Sequence, residues 1–129
     1  MKRYSKGARS ERELLGILES NNFSVIRAAG SGVSSTSPDI VGIRNGKGVA
    51  FECKAWEKSN VSIEIEKLEM LKKWQENTGM ETMIAWRMNG KGWFFIKLEE
   101  MKKTKRSYTI TKNNALAISR KIEAIIGIF

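Results

Sequence analysis

The stretch PDIVGIRNGKGVAFECKAW, residues 38–56, decides the fold of this chain. Two segments rich in apolar and branched residues, 39–44 and 49–56, flank the dipeptide Asn45-Gly46. Because Asn-Gly tolerates the positive φ angles of a tight hairpin turn, this pattern predicts two adjacent antiparallel strands. A β hairpin is therefore the first element that we expect.

The length of the turn decides which charged residues face each other across this hairpin. With a two-residue turn, Asp39 lies directly opposite Glu52, where Cβ atoms are about 5 Å apart and like charges repel. With a four-residue turn over residues 45–48, Asp39 instead faces Lys54 and forms an ordinary ion pair. In both registers Glu52 and Lys54 point to one face of the strand and Cys53 to the other, because side chains alternate along a strand.

Apolar periodicity and turn residues predict the remaining elements. Before the hairpin we expect a helix over residues 6–21, a strand over 23–29 and a loop over 30–38. After it we expect a helix over 63–78 ended by Gly79, strands over 81–88 and 93–98, an extended segment over 108–110 and a helix over about 113–126. The economical fold is one α/β domain over residues 1–129, a mixed sheet flanked by helices, with residues 101–129 as a C-terminal extension.

Composition limits the class of partner. The 129 residues fit one domain, and 23 Lys and Arg against 14 Asp and Glu give a formal net charge of +9 at pH 7. This surplus favours a polyanion, nucleic acid first of all. Apolar stretches fall far short of the roughly 18 residues of a membrane span, and the polar N-terminus lacks a signal-peptide core. We therefore expect a cytoplasmic protein without a membrane partner.

The sequence contains no histidine. This absence excludes Ser-His-Asp and Cys-His catalysis, histidine-dependent nucleases and histidine-ligated zinc. The single cysteine, Cys53, cannot form a cysteine-only zinc site. Any catalytic acid, base or metal ligand must therefore come from Asp, Glu, Lys, Tyr or the backbone.

One acid interrupts the apolar face of the first predicted helix. At about 100° per residue, Glu11 falls in the middle of the stripe that contains Leu14, Leu15 and Leu18. A carboxylate aimed at a core costs several kcal/mol, as an order of magnitude, unless a positive charge meets it. The stripe therefore marks Glu11 as a candidate site residue. The alternatives are a shifted register, partial exposure at the end of the stripe, or a salt bridge to Arg12 or another base.

Three acids and one lysine from separate predicted elements form a candidate site. Asp39 follows Pro38 at the start of one strand, Glu52 and Lys54 share a face of the next, and Glu11 lies on the preceding helix. Oxygen ligands of this kind suit Mg²⁺ or Mn²⁺. Such an ion activates water and offsets charge on a phosphate, while an adjacent ammonium orients the water or stabilises the transition state. The combination predicts metal-dependent phosphodiester hydrolysis.

These residues resemble the motif of the PD-(D/E)XK nuclease superfamily, as Pro38-Asp39, then twelve residues, then Glu52-Cys53-Lys54. The segments KGARSERELLGIL (6–18) and FSVIRAAGS (23–31) narrow the resemblance to archaeal Hjc-type Holliday junction resolvases. The likeness covers residues 6–98. It implies a restriction-endonuclease-like mixed five-stranded sheet flanked by helices.

The resemblance also implies roles for the candidate residues. Asp39, Glu52 and Glu11 would hold Mg²⁺, for which Mn²⁺ would substitute, with help from the carbonyl of Cys53. Lys54 would act on the attacking water. We therefore expect a Mg²⁺-dependent endodeoxyribonuclease.

Substrate and assembly follow from the same resemblance. Ser31 would act at the cleaved strand, and Arg12 would contact that strand or its phosphates. The enzyme would be a homodimer that cuts two opposed strands of a four-way DNA junction in recombination and repair. Two features depart from the family: the loop over residues 32–37 is longer than in the shortest relatives, and a tail follows Met101.

Basic residues cluster in two places. The first set flanks the candidate site and is predicted to contact DNA phosphates: Lys2, Arg3, Lys6, Arg9 and Arg12. The second set, at 102–106, is Lys102, Lys103, Lys105 and Arg106. For any one of these lysines a solvated surface position is the simpler interpretation.

Other functions and interfaces remain open at the level of sequence. A nuclease of the same superfamily with a restriction or repair target has the same site. A non-catalytic DNA-binding module with a vestigial acidic cluster has the same charge. In the predicted helix over 63–78, apolar residues spread over about 220° of the wheel, which fits either a second subunit or a larger core.

Overall fold

A five-stranded mixed sheet forms the centre of the molecule. The computed structural model describes residues 2–28, 36–55 and 58–129, with side chains from residue 7 onward. Numbered along the chain, its strands lie in the spatial order β1 (Ser24–Arg27), β2 (Ile40–Arg44), β3 (Lys47–Ala55), β5 (Glu81–Met88) and β6 (Gly92–Lys97). The pairs β1–β2, β2–β3 and β5–β6 are antiparallel, whereas β3–β5 is parallel. The predicted mixed five-stranded sheet is confirmed.

The β2–β3 hairpin has the two-residue turn. Arg44 pairs with Lys47, and Asn45 and Gly46 both have positive φ angles, 54° and 78°. The last pair of the ladder is Ile40 with Phe51, so the next position outward places Asp39 beside Glu52. The structure therefore selects the register that brings the two acids together, rather than the one that pairs Asp39 with Lys54.

Two helices cover opposite faces of this sheet. Helix α1 (Lys2–Ser20) buries Leu14 and Leu18 in a core with Phe51 and Phe95. Helix α2 (Ile65–Thr78) buries Leu68 and Leu71 in the other core. α2 ends as predicted at Gly79, whose φ of 73° is left-handed and whose N–H donates to the carbonyl of Gln75. Within the described ranges, no helix is long and apolar enough to cross a membrane.

The chain also forms a second, three-stranded sheet, of which the sequence predicted only the extended segment over residues 108–110. It has the order β4 (Asn60–Glu64), β8 (Ser107–Thr111), β7 (Lys102–Lys103). The prediction of a helix from residue 63 was wrong for its first two residues, which belong to β4. The cause is a period of two: Val61 and Ile63 are buried while Ser62 and Glu64 are exposed, as in a strand with one covered face.

The predicted last helix is divided into α3 (Lys112–Ile118) and α4 (Ile122–Ile126). α3 begins at Thr111, whose side chain accepts a hydrogen bond from the N–H of Asn114, and ends at Ser119, which has a left-handed φ of 51°. The break lets the carbonyl of Arg120 accept from the N–H of Phe95 on the edge strand β6. The prediction of one continuous helix was therefore wrong, because pairing with the edge strand takes residues 119–121 out of the helix.

Arg120 ties this break to the rest of the domain. Its guanidinium donates two hydrogen bonds of 2.8 Å to the carboxylate of Glu100 and one of 3.0 Å to the carbonyl of Phe95. Glu100 lies in a short 3₁₀ turn, Leu98–Glu100, between β6 and β7. Hydrogen bonding to Arg120 lowers the pKa of Glu100, and the same pair raises the pKa of Arg120.

We expect Glu100→Gln to lower the free energy of unfolding by about 2 kcal/mol at pH 7, because it breaks a bidentate, partly buried ion pair. The folded-state pKa of Glu100 is depressed, so the contribution is present above the ordinary carboxyl pKa and is lost as pH falls through the lowered value. Urea unfolding at pH 7 and in acid measures both effects. Glu99→Gln, an exposed neighbour, is the control; an equal loss in both variants would contradict the assignment.

Candidate active site

Glu52 lies on β3 in the middle of the sheet and is almost completely buried. Its side chain is 8% exposed, and β2 and β5 flank it, with Ile84 as its neighbour on β5. Burial, and then the negative charge of Asp39, raise the pKa of Glu52 to about 7, against the opposing charges of Lys67 and Lys54. A carboxyl with this pKa is about half protonated at neutral pH, and a further positive charge nearby would favour its ionised form.

Asp39 immediately precedes β2 and is held against β3. Its Oδ2 accepts a 2.9 Å hydrogen bond from the backbone N–H of Cys53, and its carbonyl accepts one of 2.8 Å from the N–H of Ala28 beyond β1. Pro38 before it is buried. The carboxylate of Asp39 is therefore fixed to β3, and its backbone carbonyl is fixed to the residue that follows β1.

Lys54 and Cys53 have the alternation that the sequence predicts. Lys54 is two residues after Glu52 on β3, so the alternation of the strand places both on one face, and the positive charge of Lys54 lowers the pKa of Glu52. Cys53 packs on the opposite face against the core beneath α1. Burial, followed by the negative charges of Asp39 and Glu11, raises the pKa of its thiol, so the thiol stays protonated.

Lys67 on α2 is a site residue that the sequence analysis missed. Its Nζ lies 3.7 Å from Glu52 Oε1 and donates a 3.3 Å hydrogen bond to the carbonyl of Ser37. The signal was weak: on the wheel Lys67 lies about 40° from the buried Leu71, at the border of the apolar stripe. A lysine at this position faces the sheet, where its positive charge lies beside the buried carboxyl of Glu52.

Glu11 forms an ion pair with Arg27, a base that the sequence analysis did not name. Its Oε1 accepts a 2.8 Å hydrogen bond from Nε of Arg27 on β1, and its side chain is 21% exposed. Its charge also raises the pKa of Cys53, which places it on the α1 side of β3. In the part of the chain that the structure describes, no three acidic or cysteine side chains are close enough together to hold one ion. A ligand role for Glu11 stays a prediction.

The structure brings together Asp39, Glu52 and Lys54, with Lys67 added. Ser31 lies outside the described residues, as do the side chains of Lys2, Arg3 and Lys6 on α1. Two members of the basic set, Arg9 and Arg12, are exposed on α1.

The geometry suits a hard divalent cation. Within the described residues, Oε1 of Glu52 is buried and has no hydrogen-bond partner, since 3.7 Å to Lys67 is too long. A buried acceptor without a partner is costly, and the nearby carboxylate of Asp39 adds repulsion. A cation bound between the two acids would give the buried oxygen of Glu52 a partner and would remove the repulsion between the two carboxylates.

The architecture places this chain in the structural class of the Holliday junction resolvases. It superimposes with a TM-score of 0.85 on the 1.6 Å structure of Archaeoglobus fulgidus Hjc, described as a Holliday junction resolvase from an archaeal hyperthermophile. The two are 27% identical, over 94% of this chain and 100% of the other. The profile of the family described as archaeal Holliday junction resolvase (Hjc) matches residues 2–129, so the chain belongs to that family.

Curated relatives carry the same description. The crossover junction endodeoxyribonuclease Hjc of Archaeoglobus fulgidus is 32% identical over 110 residues, 84% of this chain and 81% of the relative. The protein of that name from Methanocaldococcus jannaschii is 38% identical over 88 residues, 68% of this chain and 63% of the relative. The family resemblance inferred from the motifs is confirmed, and the profile match extends through the tail to residue 129.

Proposed function

We propose that this protein is an endonuclease that resolves four-way DNA junctions by Mg²⁺-dependent hydrolysis on two opposed strands. The observation that carries the proposal is the pair of Asp39 and the buried Glu52, whose Oε1 has no hydrogen-bond partner among the described residues. Family membership supports the substrate, because the relatives are named crossover junction endodeoxyribonucleases. Mn²⁺ is expected to replace Mg²⁺, since both prefer oxygen ligands.

In this proposal Asp39 and Glu52 hold the ion, with the carbonyl of Cys53 and with Glu11 as further ligands. When bound, such an ion activates water and offsets the charge that develops on the phosphate. Glu52 must lose its proton to act as a ligand. Because its pKa is about 7, this loss costs little free energy at neutral pH. Lys54, on the same face of β3, orients the attacking water.

The proposed DNA surface is the N-terminal basic set together with Ser31. Two described members, Arg9 and Arg12, are exposed on α1, the helix that also carries Glu11. The net charge of +9 supports a phosphate backbone as the partner.

We expect Arg12→Gln to reduce the salt dependence of junction binding. Each phosphate contact contributes about 0.9 to the slope of log K against log salt, so this variant should lose about one unit of slope. Binding titrations at several salt concentrations measure it. Lys47→Gln, which removes an exposed charge at the β2–β3 turn far along β3 from Glu52, should keep the wild-type slope. Equal slopes in all three proteins would exclude Arg12 from the interface.

We further propose a homodimer, because a junction with two-fold symmetry is cut most directly by two equivalent sites. Met70 and Trp74 on α2 are only partly buried and would support such a contact. Light scattering coupled to gel filtration gives the mass in solution.

The experiment that tests the function compares a labelled four-way junction with a matched linear duplex. Each substrate is incubated with purified protein in Mg²⁺, in Mn²⁺ and in EDTA. Paired cuts in the junction, with the duplex intact and no cutting in EDTA, are the expected result. Equal cutting of the duplex would indicate a restriction or repair target, and binding without cutting would indicate a non-catalytic module.

A further inference from the structure

The ammonium of Lys67 lies between the two chain segments that carry the acidic pair. It donates a 3.3 Å hydrogen bond to the carbonyl of Ser37, two residues before Asp39, and lies 3.7 Å from Oε1 of Glu52. Glu52 lies on β3 and Asp39 immediately precedes β2, so the separation of the two acids depends on what holds these two segments at this end of the sheet. Lys67 reaches both from a third element, α2.

The side chain of Lys67 is more buried than that of an ordinary surface lysine. It is 21% exposed, although a lysine has a long, flexible stem that normally carries its charge into water. Among the contacts described for its amine are a long hydrogen bond of 3.3 Å to Ser37 and an ion pair of 3.7 Å with Glu52. Helix stability alone does not explain this placement.

Asp39 is then constrained from two sides. The N–H of Cys53 holds its carboxylate to β3 at 2.9 Å, and Lys67 holds the main chain two residues earlier to α2. The same ammonium faces Glu52. One side chain therefore joins the segment that leads into Asp39 to the carboxylate of Glu52.

We propose that Lys67 is a positioning residue that keeps Asp39 and Glu52 at the separation that binds a divalent cation. The inference rests on the proposed function only in that these two acids hold the ion. In this role Lys67 acts through the two acids.

Two possible roles of Lys67 predict opposite signs for cation affinity. If Lys67 were only a nearby positive charge, its removal would reduce repulsion and strengthen cation binding. If it positions the two acids, its removal loosens them and weakens binding, since a preorganised site binds more tightly. The sign of the change therefore distinguishes the roles.

The test measures Mn²⁺ binding to the protein without DNA, by the EPR signal of free Mn²⁺, in wild type, Lys67→Gln, Lys67→Met and Lys67→Arg. We expect the dissociation constant to rise about tenfold in the Gln and Met variants and about twofold or less in the Arg variant, which keeps a donor and a charge. Lys72→Gln is the matched control on the same helix, because its amine contacts Tyr108 instead. It should bind Mn²⁺ as the wild type does.

Junction cleavage against Mg²⁺ concentration supplies the second readout. In Lys67→Gln the concentration for half-maximal rate should rise about tenfold, while the rate at saturating Mg²⁺ stays within about threefold of wild type. Thermal unfolding in EDTA shows that each variant is folded, and Mn²⁺ binding and cleavage are measured below the lowest Tm of the set.

Unchanged or tighter Mn²⁺ binding in folded Lys67→Gln, or a loss of affinity equal to that of Lys72→Gln, would overturn the inference. That result is distinct from failure of the proposed function, in which the wild type itself cuts no junction. A wild type that binds no Mn²⁺ would refute both.

Discussion

Asp39→Asn is expected to lower the rate of junction cleavage about 1000-fold or more while the dissociation constant for the junction changes less than about threefold. Asparagine keeps an oxygen that can accept the hydrogen bond from the N–H of Cys53, so the fold and the DNA surface stay intact. It removes one of the two charges of the acidic pair. Losing about 4 kcal/mol of transition-state stabilisation corresponds to three orders of magnitude in rate. Single-turnover cleavage and a binding titration in Ca²⁺ or EDTA measure the two quantities separately.

Glu76→Gln is the control for this variant, because it removes an equal charge from an exposed position on α2. It should cut and bind as the wild type does. If Asp39→Asn cleaves the junction at the wild-type rate, the acidic pair is vestigial and the protein is a DNA-binding module.

The second large effect concerns stability rather than rate. Glu52→Gln is expected to raise the free energy of unfolding in EDTA at pH 8 by on the order of 3 kcal/mol, even though it abolishes cleavage. The folded-state pKa of Glu52 is about 7 against an ordinary value of 4.5, so folding favours the protonated carboxyl. The wild type therefore loses stability as pH rises from about 4.5 to 7, and glutamine, which carries no charge, does not.

Thermal or urea unfolding in EDTA at pH 5 and pH 8 measures this effect. We expect the two proteins to be similar at pH 5 and to differ by roughly 10 °C in Tm at pH 8, since 1 kcal/mol corresponds to a few degrees in a chain of this size. Saturating Mg²⁺ should stabilise the wild type alone, because a ligand stabilises the state that binds it. The same pH dependence in both proteins would show that Glu52 is not the group responsible.

The hairpin and the end of α2 were predictable because their signals are local. Asn45-Gly46 and Gly79 each have the positive φ that the residue types indicate. The second sheet was not predictable in this way, since β4 pairs with β8 more than forty residues later. The break at Ser119 also has no local signal, because it depends on pairing between Arg120 and the edge strand β6.

The residues of the candidate site also divide into those with local sequence signals and those that depend on the packing of distant elements. Strand alternation was enough to place Glu52 and Lys54 on one face of β3. The length of the turn left two registers open for Asp39, and the structure selects the one that brings it beside Glu52. Lys67 reaches Glu52 from a helix, and Arg27 meets Glu11 from a neighbouring strand, contacts that exist only after the elements pack. Sequence periodicity marked Glu11 as unusual but could not name its partner.

The central position of β3 has a consequence for the lifetime of the site. The strand pairs with β2 up to Phe51 and with β5 from Val49 to Ala55, and the N–H of Cys53 donates to Asp39, so its amides exchange with solvent only when the sheet as a whole opens. Fraying at the chain ends leaves this strand untouched. Heat should therefore inactivate the protein in a single cooperative step, with no stage at which a folded domain has already lost its reactive centre.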